Sequence, residues 1–168
     1  MIVVCSLRAA SEQVAFTGAR KAISILGSEM EHPTFYSVQA DNHLRLTFND
    51  VAAASPGLTA PGMHDMVKLL TFIRQWDRQA PMLIHCWAGI SRSTAAGYIA
   101  TCLLQPERDE ADLAGTLRRA SPSATPNPML IKLADEALGR DGRMRRAIAD
   151  IGRGADAYEG APFRLDIE

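Results

Sequence analysis

Few folds accommodate a short apolar strand, a tight loop and an alanine-rich helix in direct succession when the loop opens on a thiol and closes on a guanidinium. That succession runs here from Met82 to Leu104. Met82-Leu-Ile84 is followed by His85-Cys86-Trp-Ala-Gly-Ile-Ser-Arg92, and then by Ser93-Thr-Ala-Ala-Gly-Tyr-Ile-Ala-Thr-Cys-Leu-Leu104. A strand, a tight loop and a helix N-terminus together make an anion site, because loop N–H groups converge there and the helix dipole adds partial positive charge. The same surroundings favour the anionic form of a cysteine at the first loop position. Arg92 offers a planar fork that matches two phosphate oxygens. Nucleophile, phosphate cradle and charge clamp therefore fall within a few residues, which suits phosphoryl transfer through sulfur.

The rest of the chain must supply a scaffold. Its 168 residues fit one domain with a sizeable core. Hydrophobic content of 47% and charged content of 22% are those of an ordinary globular protein. A net charge of −1 provides no general field for nucleic acid or an anionic membrane, so neither is expected as a partner, and an anion site has to be built locally. Cys5, Cys86 and Cys102 show no CxxC pairing, and the four histidines show no HExxH pattern. No metal or other cofactor is expected. The N-terminal Met1-Ile-Val-Val-Cys-Ser-Leu7 lacks a basic leader and reads as a strand; no run reaches the roughly 18 apolar residues of a membrane span. A cytoplasmic location is expected.

Along the chain, strands are expected at Ile2 to Leu7, Lys21 to Leu26 and His43 to Phe48, with a weaker candidate at Thr34 to Val38. Ser11 is expected to cap a short helix through Phe16. Residues 51–62 form a loop. A helix follows to about Gln79, its core stripe being Met63, Met66, Val67, Leu70, Ile73 and Trp76. After Leu104, helices are expected from Asp109 to Ala120, from Met129 to Leu138 behind an Asn127-Pro128 cap, and from Gly142 to Ile151. This order predicts an α/β fold with a mostly parallel central sheet of four to five strands, helices on both faces and a helical C-terminal third. Residues 1–152 are expected as one catalytic domain and 153–168 as a polar, loosely held tail. The ligand site of such a sheet lies at the carboxyl ends of its strands, where Cys86 and Asp50 both fall.

His85-Cys86-x5-Arg92-Ser93 resembles the signature of the cysteine-dependent protein tyrosine phosphatases. The fuller His-Cys-x-Ala-Gly-x-Ser-Arg-Ser is similar to the dual-specificity branch at every fixed position. The resemblance implies a metal-independent phosphatase that hydrolyses phosphate monoesters, of phosphotyrosine and also of phosphoserine or phosphothreonine, through a phosphocysteine intermediate. Cys86 is then the nucleophile and Arg92 the phosphate clamp. The N–H groups of Trp87, Ala88, Gly89, Ile90 and Ser91 complete the cradle, with Gly89 permitting its turn. The family assigns Ser93 to easing departure of the sulfur, and His85 orients Cys86.

Asp50 is the expected general acid and then base. It ends a strand 36 residues before the nucleophile (86 − 50), much as the family's acid loop does. Asp41, at the far end of that strand, and Asp65, inside a helix, are worse placed. Phe48-Asn49 stand where the family carries a tryptophan before its acid. Pro126-Asn127, after Arg118-Arg119, is similar to a late family segment whose Asn braces the phosphate loop; a plain helix cap is the competing role.

The loop holds no lysine, unlike phosphoinositide-directed relatives, and no tyrosine-recognition segment of the large tyrosine-specific branch is evident. Arg140, Arg143, Arg145 and Arg146 form either a patch for an acidic partner or a solvated helix face. The alternatives to a protein phosphatase are a catalytically weak phosphate-binding module and a phosphatase of non-protein phosphate esters. A serine hydrolase lacks its Gly-x-Ser-x-Gly, and a Walker loop lacks its GxxxxGK.

Overall fold

A computed structural model of the chain describes residues 1–167. Five strands form one sheet: β1 (Ile2–Ser6), β2 (Lys21–Leu26), β3 (His43–Thr47), β4 (Met82–Cys86) and β5 (Phe163–Leu165). Their order across the sheet is β3-β2-β4-β1-β5. All neighbouring pairs are parallel except β1 with β5, which is antiparallel. Six α-helices accompany them: α1 (Leu7–Thr17), α2 (Met63–Arg74), α3 (Arg92–Leu104), α4 (Glu110–Ala120), α5 (Pro128–Ala137) and α6 (Arg143–Ile151). The expected α/β architecture is present, with its mostly parallel sheet and helical C-terminal third.

β1, β2 and β4 are buried from end to end, as strands covered on both faces should be. Alternate residues feed two separate cores. Val3, Cys5, Ala22 and Leu83 pack with Ala10 and Val14 of α1. Ile2, Val4, Ile23, Ile84 and Cys86 pack against α2 to α6. Cys5 and Cys86 thus lie on opposite faces of the sheet although their strands are neighbours. α3 is the central helix: every residue from Arg92 to Cys102 is buried. Its alanines and Gly97 allow this, since a Cβ at Gly97 would lie 3.0 Å from Val4 Cγ2 and 3.2 Å from Leu165 Cδ1.

Four expectations are corrected. α1 starts four residues before Ser11, because Ser6, the last residue of β1, accepts the capping hydrogen bond from Ala9 N–H (3.3 Å) and leaves no loop between strand and helix. Thr34 to Val38 is a turn, not a strand. Val38 N–H closes the turn on Phe35 O (3.1 Å), and Phe35 packs its ring 5.0 Å from that of His43 and 5.9 Å from that of His85, covering the sheet face instead of extending its edge. α2 ends at Arg74, and its core stripe is Met66, Leu69, Leu70, Phe72 and Ile73, while Met63 and Val67 stand exposed. The face is set by packing of α2 against α3 and α5; Phe72 is buried as well, with Lys21 Nζ 4.1 Å above its ring.

The fourth correction concerns the expected tail. Phe163 and Leu165 are buried, Arg164 points outward, and the strand pairs Ile2 with Leu165 and Val4 with Phe163. Without β5 the outer edge of β1 would expose unpaired main-chain groups and part of its apolar face. Glu168, the last residue of that expected tail, lies outside the described residues.

Candidate active site

β4 carries the site because register sets each of its last residues beside a chosen neighbour. His85 lies opposite Cys5 on β1 and Ser24 on β2, and Cys86 lies opposite Ser6. Ser24 is the one polar side chain in an otherwise apolar stretch, and its Oγ is 2.6 Å from His85 Nε2 and 2.7 Å from His43 Nε2. His85 Nδ1 is 3.3 Å from the Cys86 carbonyl, which only accepts, so Nδ1 holds the proton and Nε2 accepts from Ser24. His43 Nε2–H then donates to Ser24 Oγ. Burial pushes both imidazoles down to about 4, with Arg45 a lesser contributor at His43, so this chain of hydrogen bonds is neutral. Sequence reasoning missed Ser24 and His43, whose partnership exists only through strand register.

The loop from Cys86 to Arg92 turns its carbonyls outward, and an outer ring of donors takes them. Trp87 O accepts from Leu7 N–H (3.1 Å), Ala88 O from Gly160 N–H (2.8 Å), Ile90 O from Thr125 N–H (2.9 Å), and Ser91 O from Asn127 N–H (3.3 Å) and Ala95 N–H (3.0 Å). Thr94 Oγ1 adds bonds to the carbonyls of Ile90 (2.5 Å) and Ser91 (2.9 Å). Turning the carbonyls out turns the amides in. Gly89 N–H donates to Cys86 Sγ at 3.3 Å, and the amides of Trp87, Ala88, Ile90 and Ser91 meet no protein acceptor among the described residues. Gly89 has φ +72°, and a Cβ there would lie 2.7 Å from Ser6 N and 2.8 Å from the Cys5 carbonyl carbon. Both the left-handed conformation and the close approach require glycine.

Cys86 is 2% exposed, and its Sγ is 3.1 Å from Ser93 Oγ at the start of α3. Arg92 is also buried; its Nη1 donates to the Phe48 carbonyl at 2.8 Å, which ties the guanidinium to the end of β3. Its Nε is buried with no hydrogen-bond partner among the described residues, and Asp50 Oδ2 lies 3.9 Å away. Asp50 is held over the loop. Its Oδ1 accepts from Ser91 Oγ and from Asn127 Nδ2, each at 2.8 Å. Asn127 Nδ2 also donates to Val51 O (3.0 Å), while its Oδ1 caps α5 by accepting from Leu130 N–H (3.0 Å). Asn127 is thus both helix cap and brace.

The structure brings together Cys86, Arg92, Ser93, His85, Asp50 and Asn127, drawn from three regions of sequence. Asp65 instead accepts from Gly62 N–H (2.9 Å) at the start of α2, and Asp41 is exposed at the opposite end of β3. Two cavities flank the loop. One, of about 470 Å³, is lined by Trp87, Ala88 and Tyr158; the other, of about 370 Å³, by Asp50, Ser91 and Asn127. Among the described residues no group of three or more His, Cys, Asp or Glu could hold a metal ion, and no helix is long and apolar enough to cross a membrane.

The sequence analysis did not anticipate the contribution of the C-terminal segment. Besides Gly160, it supplies Glu159, which accepts from Ser6 Oγ and from Arg8 (Nε 2.9 Å), and Tyr158, whose ring lies 5.7 Å from that of Trp87. A Cβ at Gly160 would lie 2.7 Å from Gly89 O. The Phe-Arg-Leu alternation of β5 was the available signal.

Residues 56–122 match the family model of the protein-tyrosine phosphatases. No curated protein sequence matches the chain. Among solved structures, DUSP15 is 22% identical with TM-score 0.61, the match covering 89% of this chain and 90% of that one. Human DUSP28 is 22% identical with TM-score 0.63 over 83% and 94%. PTPMT1, solved in complex with PI(5)P, is 13% identical with TM-score 0.58 over 90% and 95%.

Proposed function

Because residues 56–122 match the protein-tyrosine phosphatase model and the fold is shared with DUSP15 and DUSP28, we propose that this chain is a dual-specificity-phosphatase-like member of the protein tyrosine phosphatase superfamily and hydrolyses phosphate monoesters through a phosphocysteine intermediate. The observation that carries this reading is the loop itself: carbonyls held outward by an outer ring of donors, amides left inward around the Cys86 sulfur. Such preorganised donors stabilise the equatorial oxygens of a transferring phosphoryl group without reorganising during the reaction.

Cys86 Sγ attacks phosphorus, the bond from phosphorus to the leaving oxygen breaks, and Asp50 gives that oxygen its proton. Water then attacks the phosphocysteine, Asp50 takes its proton, and inorganic phosphate and the free sulfur are released. Arg92 Nε, buried without a partner, donates to a phosphoryl oxygen while Nη1 stays anchored on Phe48 O. Ser93 donates to the departing sulfur from 3.1 Å. His85 orients Cys86, and Asn127 holds Asp50 over the loop. Arg92 is the one cationic side chain from Cys86 to Arg92, which suits a ligand with a single phosphate group, such as a protein phosphomonoester, over a multiply phosphorylated one.

A second reading, a phosphatase of non-protein esters, is favoured by the likeness to PTPMT1, whose solved complex holds PI(5)P. The test is turnover of an aryl phosphate, a phosphopeptide and a phosphoinositide by the parent chain and by Cys86→Ser. Turnover is expected for the first two, with none by the serine variant, which still binds phosphate or tungstate. Undiminished turnover by Cys86→Ser sinks the mechanism, and turnover of the phosphoinositide alone favours the second reading.

A further inference from the structure

Four arginines lie between residues 140 and 146, and the structure divides them into two pairs. Arg140 Nη1 and Arg143 Nε lie 3.0 and 3.2 Å from the buried carboxylate of Glu110, so both guanidiniums are held against one carboxylate, Arg140 mostly buried and Arg143 partly exposed. Arg145 and Arg146 are exposed and make no ion pair among the described residues; Arg146 Nη1 only approaches the main-chain oxygen of Asp141, at 3.3 Å. Both line a groove of about 650 Å³ along α5 and α6, which contains a third cation, Lys132. Lys132 lies 4.0 Å from Glu136, an exposed pair worth little in water. Met129 and Ile148 give the groove apolar surface, and no acidic residue lines it among the described residues. In a chain of net charge −1 this is a local concentration of positive charge, of which Arg145 and Arg146 carry the part without an ion pair among the described residues.

The groove is continuous with the reaction centre. Ala52 and Pro128 line both it and the cavity bounded by Asp50, Ser91 and Asn127. α5 starts beside Asn127, and Lys132 lies about 7.5 Å further along at 1.5 Å per residue. An extended peptide covers that distance in two to three residues at about 3.3 Å each.

We propose that this groove docks the part of a phosphoprotein substrate next to its phosphorylated residue. An Asp or Glu two to four positions away pairs with Arg145, Arg146 and Lys132, and an apolar neighbour packs on Met129 and Ile148. Charge complementarity selects an acidic segment, and a concave, partly apolar groove of about 650 Å³ suits a peptide better than a flat bilayer. Exposed Glu136, Asp141 and Asp150 would also be pressed against an anionic membrane. The proposal deepens the phosphatase reading and rests on it for where the phosphorylated residue sits.

The test uses the full chain carrying Cys86→Ser and a dye-labelled phosphopeptide with Glu at the flanking positions, compared with the same peptide carrying Ala there. The Glu peptide is expected to bind more tightly. Arg145→Glu with Arg146→Glu weakens it about tenfold, most at low salt, and leaves the Ala peptide unchanged, as expected for charges at the rim of an interface. In the chain with Cys86 intact, the double variant keeps its aryl phosphate kcat/KM. Equal binding of the two peptides by the parent overturns the proposal. So does an equal loss for both peptides in the variant, or arginine-dependent binding to phosphatidylserine vesicles without peptide discrimination. Peptide binding is read without turnover, so failure of the phosphatase reading appears separately, as a chain inert toward aryl phosphate that still prefers the Glu peptide.

Discussion

Asn127 Nδ2 donates to Asp50 Oδ1 at 2.8 Å across 77 residues of chain, and the same side chain caps α5 through its oxygen. One amide therefore couples the start of a helix to the position of the proposed acid. Its two ends can be separated experimentally. Asn127→Asp keeps a good helix cap but removes the donor and places a second carboxylate beside Asp50. Tm is expected to fall modestly, because Val51 O loses its donor and a second carboxylate is buried, while kcat on an aryl phosphate falls at least tenfold, part of the typical 10²–10⁴ range for acid–base catalysis. Unchanged kcat in this cap-preserving variant would leave Asn127 as a cap only.

Asp50→Asn tests the acid itself. A poor leaving group needs the proton and a good one does not, so kcat should fall about 10²-fold on an alkyl or phenyl phosphate and far less on an activated aryl phosphate. Equal losses on both substrates would assign proton transfer elsewhere.

Gly89→Ala puts a Cβ against Ser6 N and the Cys5 carbonyl carbon at a residue with φ +72°. The amide of residue 89 must move away from the sulfur. A loss of about 10² in kcat/KM is expected, comparable to removing one donor from an oxyanion hole. Wild-type kcat/KM in the alanine variant would exclude this amide from the cradle.

Ser24→Ala leaves two buried imidazoles without their shared partner. A stability loss of about 1–3 kcal/mol is expected by urea unfolding, with Tm lowered by about 2–4 °C for each kcal/mol. An unchanged unfolding midpoint would show that the hydrogen-bonded chain contributes nothing.

His43 and His85 also set a pH dependence. Burial holds both near 4, below the 6.5 of an exposed imidazole. The unfolded chain therefore takes up protons first as pH falls, and native stability, full above about 6.5, is lost progressively toward 4. Tm measured from pH 7.5 to 4 should decline through this window, and less steeply in Ser24→Ala with His43→Phe. Flat stability down to pH 4.5 would contradict neutral burial of the pair.

What could be read in advance was local. Met82 to Leu104 announced strand, loop and helix because apolar runs, one glycine and a thiol-to-guanidinium spacing are properties of neighbouring residues. Asn127-Pro128 and Asp109 announced helix starts for the same reason, since a cap acts within three residues. Asp50 was legible as the end of an alternating strand. The edges were not legible. Ser11 and Ser6 are both competent caps, and only the junction of β1 with α1 selects Ser6. The apolar face of α2 includes Leu69 and leaves out Val67 because α2 packs against α3 and α5, a choice that periodicity alone does not make.

The sequence by itself determined the cysteine, the arginine, the glycine between them and the helix behind, because each follows from residue type and spacing along the chain. Only tertiary structure decided what surrounds them. Ser24 reaches His85 through strand register, Phe48 O reaches Arg92 from the end of β3, and Gly160 reaches Ala88 from a segment that reads as a tail. β5 is three residues long and meets β1 across nearly the whole chain, a pairing governed by the need to cover an open sheet edge. That need belongs to the assembled sheet and to no segment alone.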